Sequence, residues 1–438
     1  MTTAQPTVSS STHHGMNSGG NPGSNCLSNQ TRYHALVEFA YKHLDFQMSE
    51  LESVLAMHGI SLLRDEHDTS ENDAKNACRI EQLPNHERFL EEKQKNHNME
   101  SAKRPFLILS LPYHSQFVPK STQTSKETSL GDIASILLSR CTLVRSVIEL
   151  WGMGCTIEDC AASVKNTLHH HPSAHNHEAA AINKSWKLTV HTLGSKHTRE
   201  EQEAMRLQFS FMDLKGPVQM KQPDNEFVLI REIELDGNGG VLYPRQDHLG
   251  QAIPENDARL PLAAYFGRIL GGERPSQGRK ELEQYSLKKR TYLGPTSMDA
   301  ELSFIMTNLG LVRQGSLVFD PFVGTGSILV SCALRGAFCV GTDIDIRVLR
   351  GRSQHENVWS NFQQFNLPMP ELIRSDNAIY HRHFRYSQPI YDAILCDPPY
   401  GIRAGARKSG SRLEQPRPVQ EEFREDHIAQ TRYTIGLL

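Results

Sequence analysis

The residues best suited to chemistry lie in the last third of the chain. Asp397-Pro398-Pro399-Tyr400 follows an apolar run, Tyr391–Cys396. Its two prolines stiffen the backbone and bring no N–H. The Asp397 carboxylate and the Pro398 carbonyl therefore present acceptors, and Tyr400 offers a face on which a flat ring can stack. Such a loop suits the two hydrogens of an exocyclic amine on a nucleobase. It would aim a nitrogen weakened by conjugation at an electrophilic methyl group, and positioning is most of that catalysis.

Upstream, Asp320-Pro321-Phe322-Val323-Gly324-Thr325-Gly326 joins a short apolar run, Ser316–Asp320, to a helical pattern from about Ile328 to Arg335 that Gly336 stops. Glycines let the backbone approach a ligand closely, and a helix N-terminus offers unpaired N–H groups, so a nucleotide-like ligand is the natural occupant. Asp343 ends the next strand pattern, Phe338–Thr342, 19 positions after Gly324. That is close to the spacing of ~20 at which a carboxylate receives ribose hydroxyls. The third glycine of the dinucleotide fingerprint is absent, which disfavours hydride chemistry. A third strand pattern, Leu372–Ser375, also ends in an aspartate, Asp376. Alone, a Gly-Thr-Gly turn also serves an ordinary strand–helix junction, and Pro-Pro-Tyr also serves partner recognition. Together, each placed directly after an apolar strand, they form a constellation that favours the catalytic reading.

These motifs need elements to hold them. Ahead of them a basic segment, Leu287-Lys288-Lys289-Arg290, leads to a helical pattern from about Ala300 to Leu309, and a second domain begins hereabouts. Earlier still, Tyr33–Tyr41, Phe106–Leu111, Thr142–Trp151 and Trp186–Leu193 read as strands; Gly131–Ser139 and Thr156–Leu168 read as helices. Ser49-Glu50-Leu51-Glu52 reads as a capping box opening a short helix with Leu51, Val54 and Leu55 inward and Gly59 as its stop. Residues 1–30 and the acidic stretch 64–104 are poor in apolar side chains and are expected to be disordered, a tail and an insertion. The organisation expected is a tail over 1–30, an α+β region over 31–270, a linker over 271–299 and an α/β domain over 300–438.

Composition narrows the class. With 38% hydrophobic and 22% charged residues over 438 positions, the chain suits two cored domains, and no stretch approaches the ~18 apolar residues of a spanning helix. Forty-seven Lys and Arg against 50 Asp and Glu leave a net charge of −3, so a nucleic-acid surface must be a local patch. Eight scattered cysteines, with no C-x-x-C, fit neither a disulfide framework nor a zinc ribbon. With no signal sequence at the N-terminus, a cytoplasmic protein is expected. The run His169, His170, His171, His175 and His177 lacks a cysteine or carboxylate at ligand spacing and reads as a solvated loop, so no metal is assigned.

Asp320–Gly326, Gly341–Asp345, Ser375-Asp376 and Asp397–Tyr400 resemble the successive motifs of a class I S-adenosylmethionine-dependent amino-methyltransferase. Tyr285–Met298 (YSLKKRTYLGPTSM), Asp299–Ser303, Asp397–Arg403 (DPPYGIR), Phe106–Leu111 and Val147–Gly152 resemble the eukaryotic tRNA guanosine-10 N2-methyltransferase catalytic subunits. The resemblance implies a Rossmann-like α/β methyltransferase domain preceded by an α+β THUMP-like RNA-binding module over about 105–235 that grips the tRNA acceptor end. By the same resemblance Asp320, Phe322, Gly324, Thr325 and Gly326 line S-adenosylmethionine, Asp343 meets its ribose, Ile344 lies beside the adenine and Asp376 near the adenine amine. Asp397, Pro398, Pro399 and Tyr400 hold the guanine amine. Lys288, Lys289 and Arg290 become candidates for RNA phosphate, though they could equally pack the linker, and a small zinc-binding activator subunit is the implied partner.

Such a sheet needs about three more strands after Tyr400, whereas 38 mostly polar residues follow it. The domain is thus expected to be C-terminally truncated. A catalytically silent tRNA-binding protein, and an amino-methyltransferase acting on another RNA base, stand as alternatives.

Overall fold

The computed structural model describes residues 32–63, 78–95, 103–112, 129–170, 184–193, 197–233, 262–270, 276–294, 297–377 and 388–399. The first sheet comprises β1 (Arg32–Phe39), β2 (Leu62–Leu63), β3 (Cys78–Glu81), β4 (Phe106–Pro112), β5 (Val144–Gly154), β6 (Trp186–Leu193), β7 (Asn225–Glu232) and β8 (Ala263–Leu270). Their order is β2-β3-β4-β1-β5-β8-β7-β6. Only the pairs β2–β3 and β6–β7 are parallel. Around this sheet lie α1 (Gln47–Met57), α2 (His86–Lys95), α3 (Leu130–Arg140), α4 (Ile157–His170) and α5 (Arg199–Leu207).

Period-two alternation sends Val37, Leu109 and Val147 to one face, where Leu51, Val54 and Leu55 of α1 and Ile133 and Leu137 of α3 cover them. Leu36, Ile108, Ile148 and Tyr265 point to the opposite face. A further cluster joins Cys160, Val164 and Leu168 of α4 to Trp151, Phe227 and Phe266. Two charges buried in this sheet are matched: Arg104 donates from Nε and Nη2 to the Glu232 carboxylate at 2.8 and 2.5 Å, and Tyr265 donates its hydroxyl to the same carboxylate at 2.9 Å.

Local signals set some boundaries and mislead at others. Ser129 Oγ accepts from Asp132 N, and the Asp132 carboxylate accepts from Ser129 N, so a capping box opens α3. The box expected at Ser49–Glu52 does not form: a 3-10 turn, Leu44–Phe46, feeds the chain into α1 at Gln47, which places Ser49 inside the helix. The inward residues and the Gly59 stop, at φ +74°, are as expected.

The expected disorder of 64–104 also needs correction. Cys78–Glu81 pairs with β4 as strand β3, and His86–Lys95 is helical. Cys78, Leu83 and Phe89 are buried there, and so is Arg104. These few apolar side chains suffice for burial, although the charged residues around them dominate the average composition. Residues 64–77 and 96–102, like the tail 1–30, lie outside the described residues.

The second sheet has four parallel strands, β9 (Leu317–Asp320), β10 (Phe338–Asp343), β11 (Glu371–Arg374) and β12 (Ala393–Ile394), in the order β11-β10-β9-β12. The chain steps to one side of β9 with β10 and returns to the other with β12. The carboxyl ends of β9 and its neighbours therefore border a topological switch point, where open α/β sheets bind ligands. The associated helices are α6 (Gln277–Gln284), α7 (Ala300–Leu309), α8 (Ser327–Leu334), α9 (Ile346–Arg350) and α10 (Val358–Gln364). This is the expected Rossmann-like arrangement.

Helix α7 packs against both α8 and α1. Its Ile305 is part of the core under the first sheet. Its Asn308 donates to Glu50 Oε1 at 2.8 Å and accepts from Arg140 Nε at 2.9 Å, while Glu50 also accepts from the backbone N–H groups of Thr142 and Leu143.

Candidate active site

Strand β9 delivers Asp320 to the switch point, where it is 1% exposed. One carboxylate oxygen accepts from Phe322 N at 2.9 Å. The turn that follows passes through Gly324 and Gly326 at φ +51° and +83°, a region that side-chain-bearing residues rarely occupy. Gly326 also lies close under α10, where an added Cβ would meet Val358 Cγ1 at 2.9 Å. From the end of β10, Asp343 accepts from Gly324 N at 3.1 Å and from Asp345 N at 2.8 Å. A single carboxylate thereby ties the glycine turn to the neighbouring strand end.

Asp320, Phe322, Gly324, Thr325, Asp343 and Asp397 line one cavity of about 370 Å³. The structure thus brings together six of the expected residues across 77 positions of sequence. Gly326, Ile344 and Asp376 are not among its lining residues. Gly326 serves as the N-cap of α8, while Ile344 and Asp376 follow the ends of β10 and β11, which Ser375 N joins by donating to Asp343 O at 3.1 Å. Pro398 and Pro399 are exposed at the rim, and Tyr400 lies outside the described residues.

The opposite wall comes from a strap that local patterns do not reveal: Tyr292, Leu293, Gly294, Ser297 and Met298. Buried Asn361 of α10 holds it, accepting from Tyr292 N and donating to Tyr292 O, both at 2.9 Å, and reaching Thr325 O at 3.2 Å. Tyr292 donates its hydroxyl to Val348 O, and Ser297 Oγ and Thr325 Oγ1 share a hydrogen bond of 2.8 Å. The turn-forming Gly294-Pro295-Thr296-Ser297 run marks a bend, but only the family resemblance of this segment hints that it folds back over the glycine turn.

The three basic residues before the strap part company. Lys288 and Lys289 are exposed on a 3-10 turn, Leu287–Lys289. Arg290 is buried, and its Nη1 donates to Ser327 Oγ at 2.6 Å. This removes Arg290 from the candidates for phosphate contact, because packing against the first turn of α8 has turned it inward.

Electrostatics divides the cavity into two ends. At one, burial pushes the Asp320 carboxyl up to about 7, with the charges of Asp343 and Asp397 adding to the rise and the Phe322 N–H opposing it. This end suits a cationic or hydroxyl-bearing group. The other end carries the hydroxyls of Ser297, Thr325 and Ser327 beside the N-terminus of α8. The wall at Gly324 is open, with no backbone or side chain closer than 3.9 Å to an added Cβ. A nucleoside bearing an amino-acid tail fits this donor set: its hydroxyls and ammonium suit the carboxylates, and its own carboxylate suits the hydroxyls beside the N-terminus of α8. Among the described residues no cluster could hold a metal ion, and no helix is long and apolar enough to cross a membrane. His169 and His170 end α4; His171, His175 and His177 lie outside the described residues.

Comparison with known proteins meets this geometry from the outside. Residues 102–258 match the family described as Tmrp11 THUMP N-terminal domain, and residues 288–418 the RMKL-like methyltransferase domain. The tRNA (guanine(10)-N(2))-methyltransferase TRMT11 of Bos taurus is 31% identical over 408 residues, covering 90% of this chain and 71% of its own. Its Homo sapiens counterpart is 34% identical over 343 residues, covering 74% of this chain, and the alignment spans 64% of the human protein's length. The tRNA (guanine(10)-N(2))-methyltransferase of Schizosaccharomyces pombe is 35% identical over 234 residues, 53% of this chain and 44% of its own.

Proposed function

Because the chain belongs to the tRNA (guanine(10)-N(2))-methyltransferase family, we propose that it moves a methyl group from S-adenosylmethionine to N2 of the guanosine at position 10 of tRNA. The observation that carries this reading is the single cavity into which Asp320, Gly324, Asp343 and Asp397 converge. Bound there, S-adenosylmethionine would supply an electrophilic methyl group. Asp343 accepts from ribose hydroxyls, sharing the carboxylate that already holds Gly324 N. Asp320 takes the ammonium group, whose charge favours the ionised carboxylate that burial alone disfavours.

At the rim, Asp397 and the Pro398 carbonyl accept from the two hydrogens of the guanine amine. Holding both hydrogens fixes the direction of the nitrogen lone pair, and the Asp397 carboxylate receives the proton that the methylated nitrogen sheds. The region that matches the THUMP family, 102–258, grips the tRNA acceptor end. A small zinc-binding activator subunit completes the enzyme, which works in the cytoplasm.

The test is methyl transfer to a tRNA transcript by the full chain co-expressed with the activator. Asp397→Ala is expected to lower kcat about a hundredfold or more while leaving tRNA affinity within about twofold. Equal loss of both would remove Asp397 from the reaction. Tight tRNA binding by the wild-type chain without cofactor binding or methylation would establish the silent tRNA-binding alternative instead.

A further inference from the structure

Three arginines are buried among the described residues, and they differ in company. Arg104 faces Glu232, and Arg32 lies within the field of Glu81. Arg290, 6% exposed, has no carboxylate within ion-pair distance among the described residues. Burial pulls its pKa down to about 10, with only Asp299 acting in the other direction. Nη1 donates to Ser327 Oγ at 2.6 Å, Nη2 reaches Ser327 O at 3.5 Å, and Nε has no partner among the described residues. A cation left this way is destabilising on its own account, which calls for an anion that the described residues do not supply.

Ser327 links this cation to the cavity. It lines the cavity and is the first residue of α8, whose N-cap, Gly326, offers no side chain to the free N–H groups of the first turn. A hydroxyl that accepts from a guanidinium keeps its own O–H to give, and the charge behind it makes it a stronger donor. Ser297 and Thr325 add two more hydroxyls at the same end. Asp320, Asp343 and Asp397 line the same cavity as its acidic groups, so cation and carboxylates are held apart rather than paired.

We propose that Arg290 is a positioning residue for the carboxylate of the cofactor's amino-acid tail, acting through the Ser327 hydroxyl and the first turn of α8. The inference rests on the cofactor reading above and adds to it the part of the ligand that Arg290 serves.

Two probes separate that part from the rest. S-adenosylhomocysteine carries the tail; 5′-methylthioadenosine keeps the nucleoside and thioether without it. Calorimetric titration of the full chain with each is expected to show Arg290→Met weakening S-adenosylhomocysteine about tenfold or more. Its affinity for 5′-methylthioadenosine should stay within about twofold, and Arg290→Lys should recover part of the loss. Ser327→Ala, which leaves the guanidinium in place, is expected to give the same selective loss and decides the matter if Arg290→Met fails to fold. Equal weakening of both probes by Arg290→Met, or no selective loss in Ser327→Ala, overturns the proposal. A wild-type chain that binds neither probe overturns the cofactor reading itself.

Discussion

In the eight-stranded sheet, Arg104 and Glu232 close on each other with Tyr265 completing the ring, whereas around the four-stranded sheet Asp320 and Arg290 lie buried with no opposite charge in contact with either among the described residues. Both halves exclude water from these ionisable groups, and for these four the described residues resolve the consequence internally only in the first. A buried charge matched by its own chain holds strands together. Buried charges that are kept apart across a cavity make sense when a ligand matches them. The same contrast holds for hydroxyls: that of Tyr265 is absorbed by Glu232, while those of Ser297, Thr325 and Ser327 border open space.

The sharpest way to break this comparison is to remove one carboxylate from each half. Glu232→Gln strands Arg104 in the interior and is expected to destabilise the protein by about 3–5 kcal/mol, read from urea unfolding. Asp320→Asn should behave in the opposite sense. The Asp320 carboxyl titrates near 7 in the folded protein against an ordinary value of 3.8, so its favourable contribution is complete below pH 4 and is lost as pH rises through about 7. Relative to Asp320→Asn, the wild type should therefore lose stability between about pH 4 and pH 7 and change little above that. Cofactor affinity should run the other way, rising over pH 6 to 8 in the wild type and staying lower and flatter in the variant. Loss of stability at pH 8 in Asp320→Asn, comparable to that of Glu232→Gln, would erase the distinction.

The smallest effect concerns the exposed cations. Replacing Lys288 and Lys289 by alanine should make the salt dependence of tRNA binding shallower by about 0.7–0.9 for each phosphate that is no longer neutralised. Cofactor affinity should be unchanged, in contrast to Arg290→Met. An unaltered salt slope would make these lysines an ordinary solvated turn.

The catalytic half is the more legible in sequence because each strand announces its end. Asp320, Asp343, Asp376 and Asp397 each stand at or just past the end of a short strand pattern, and the turn glycines stand between β9 and α8. The strap is hidden because its partners, Asn361 and Thr325, lie 69 and 28 residues from the positions they hold. Arg290 is hard to read for the same reason: three adjacent cations look alike until Ser327, 37 residues on, fixes which one turns inward. In the first half, β7 and β8 escape the strand assignments, and β3 with α2 passes for a charged insertion. In β3 and α2 the apolar residues are few and meet partners distant in sequence, as Cys78–Glu81 does through β4.

Helix α7 places Ile305 in the core under the first sheet and gives Glu50 one of its three hydrogen-bond donors. During synthesis, α1 and α3 leave the ribosome well before the helix that completes their packing. The first half must therefore wait, with Leu51, Val54 and Leu137 incompletely covered, until the opening helix of the second half arrives. A chain halted between the two would leave that apolar surface open to solvent, although every strand of the first sheet precedes α7 in the sequence.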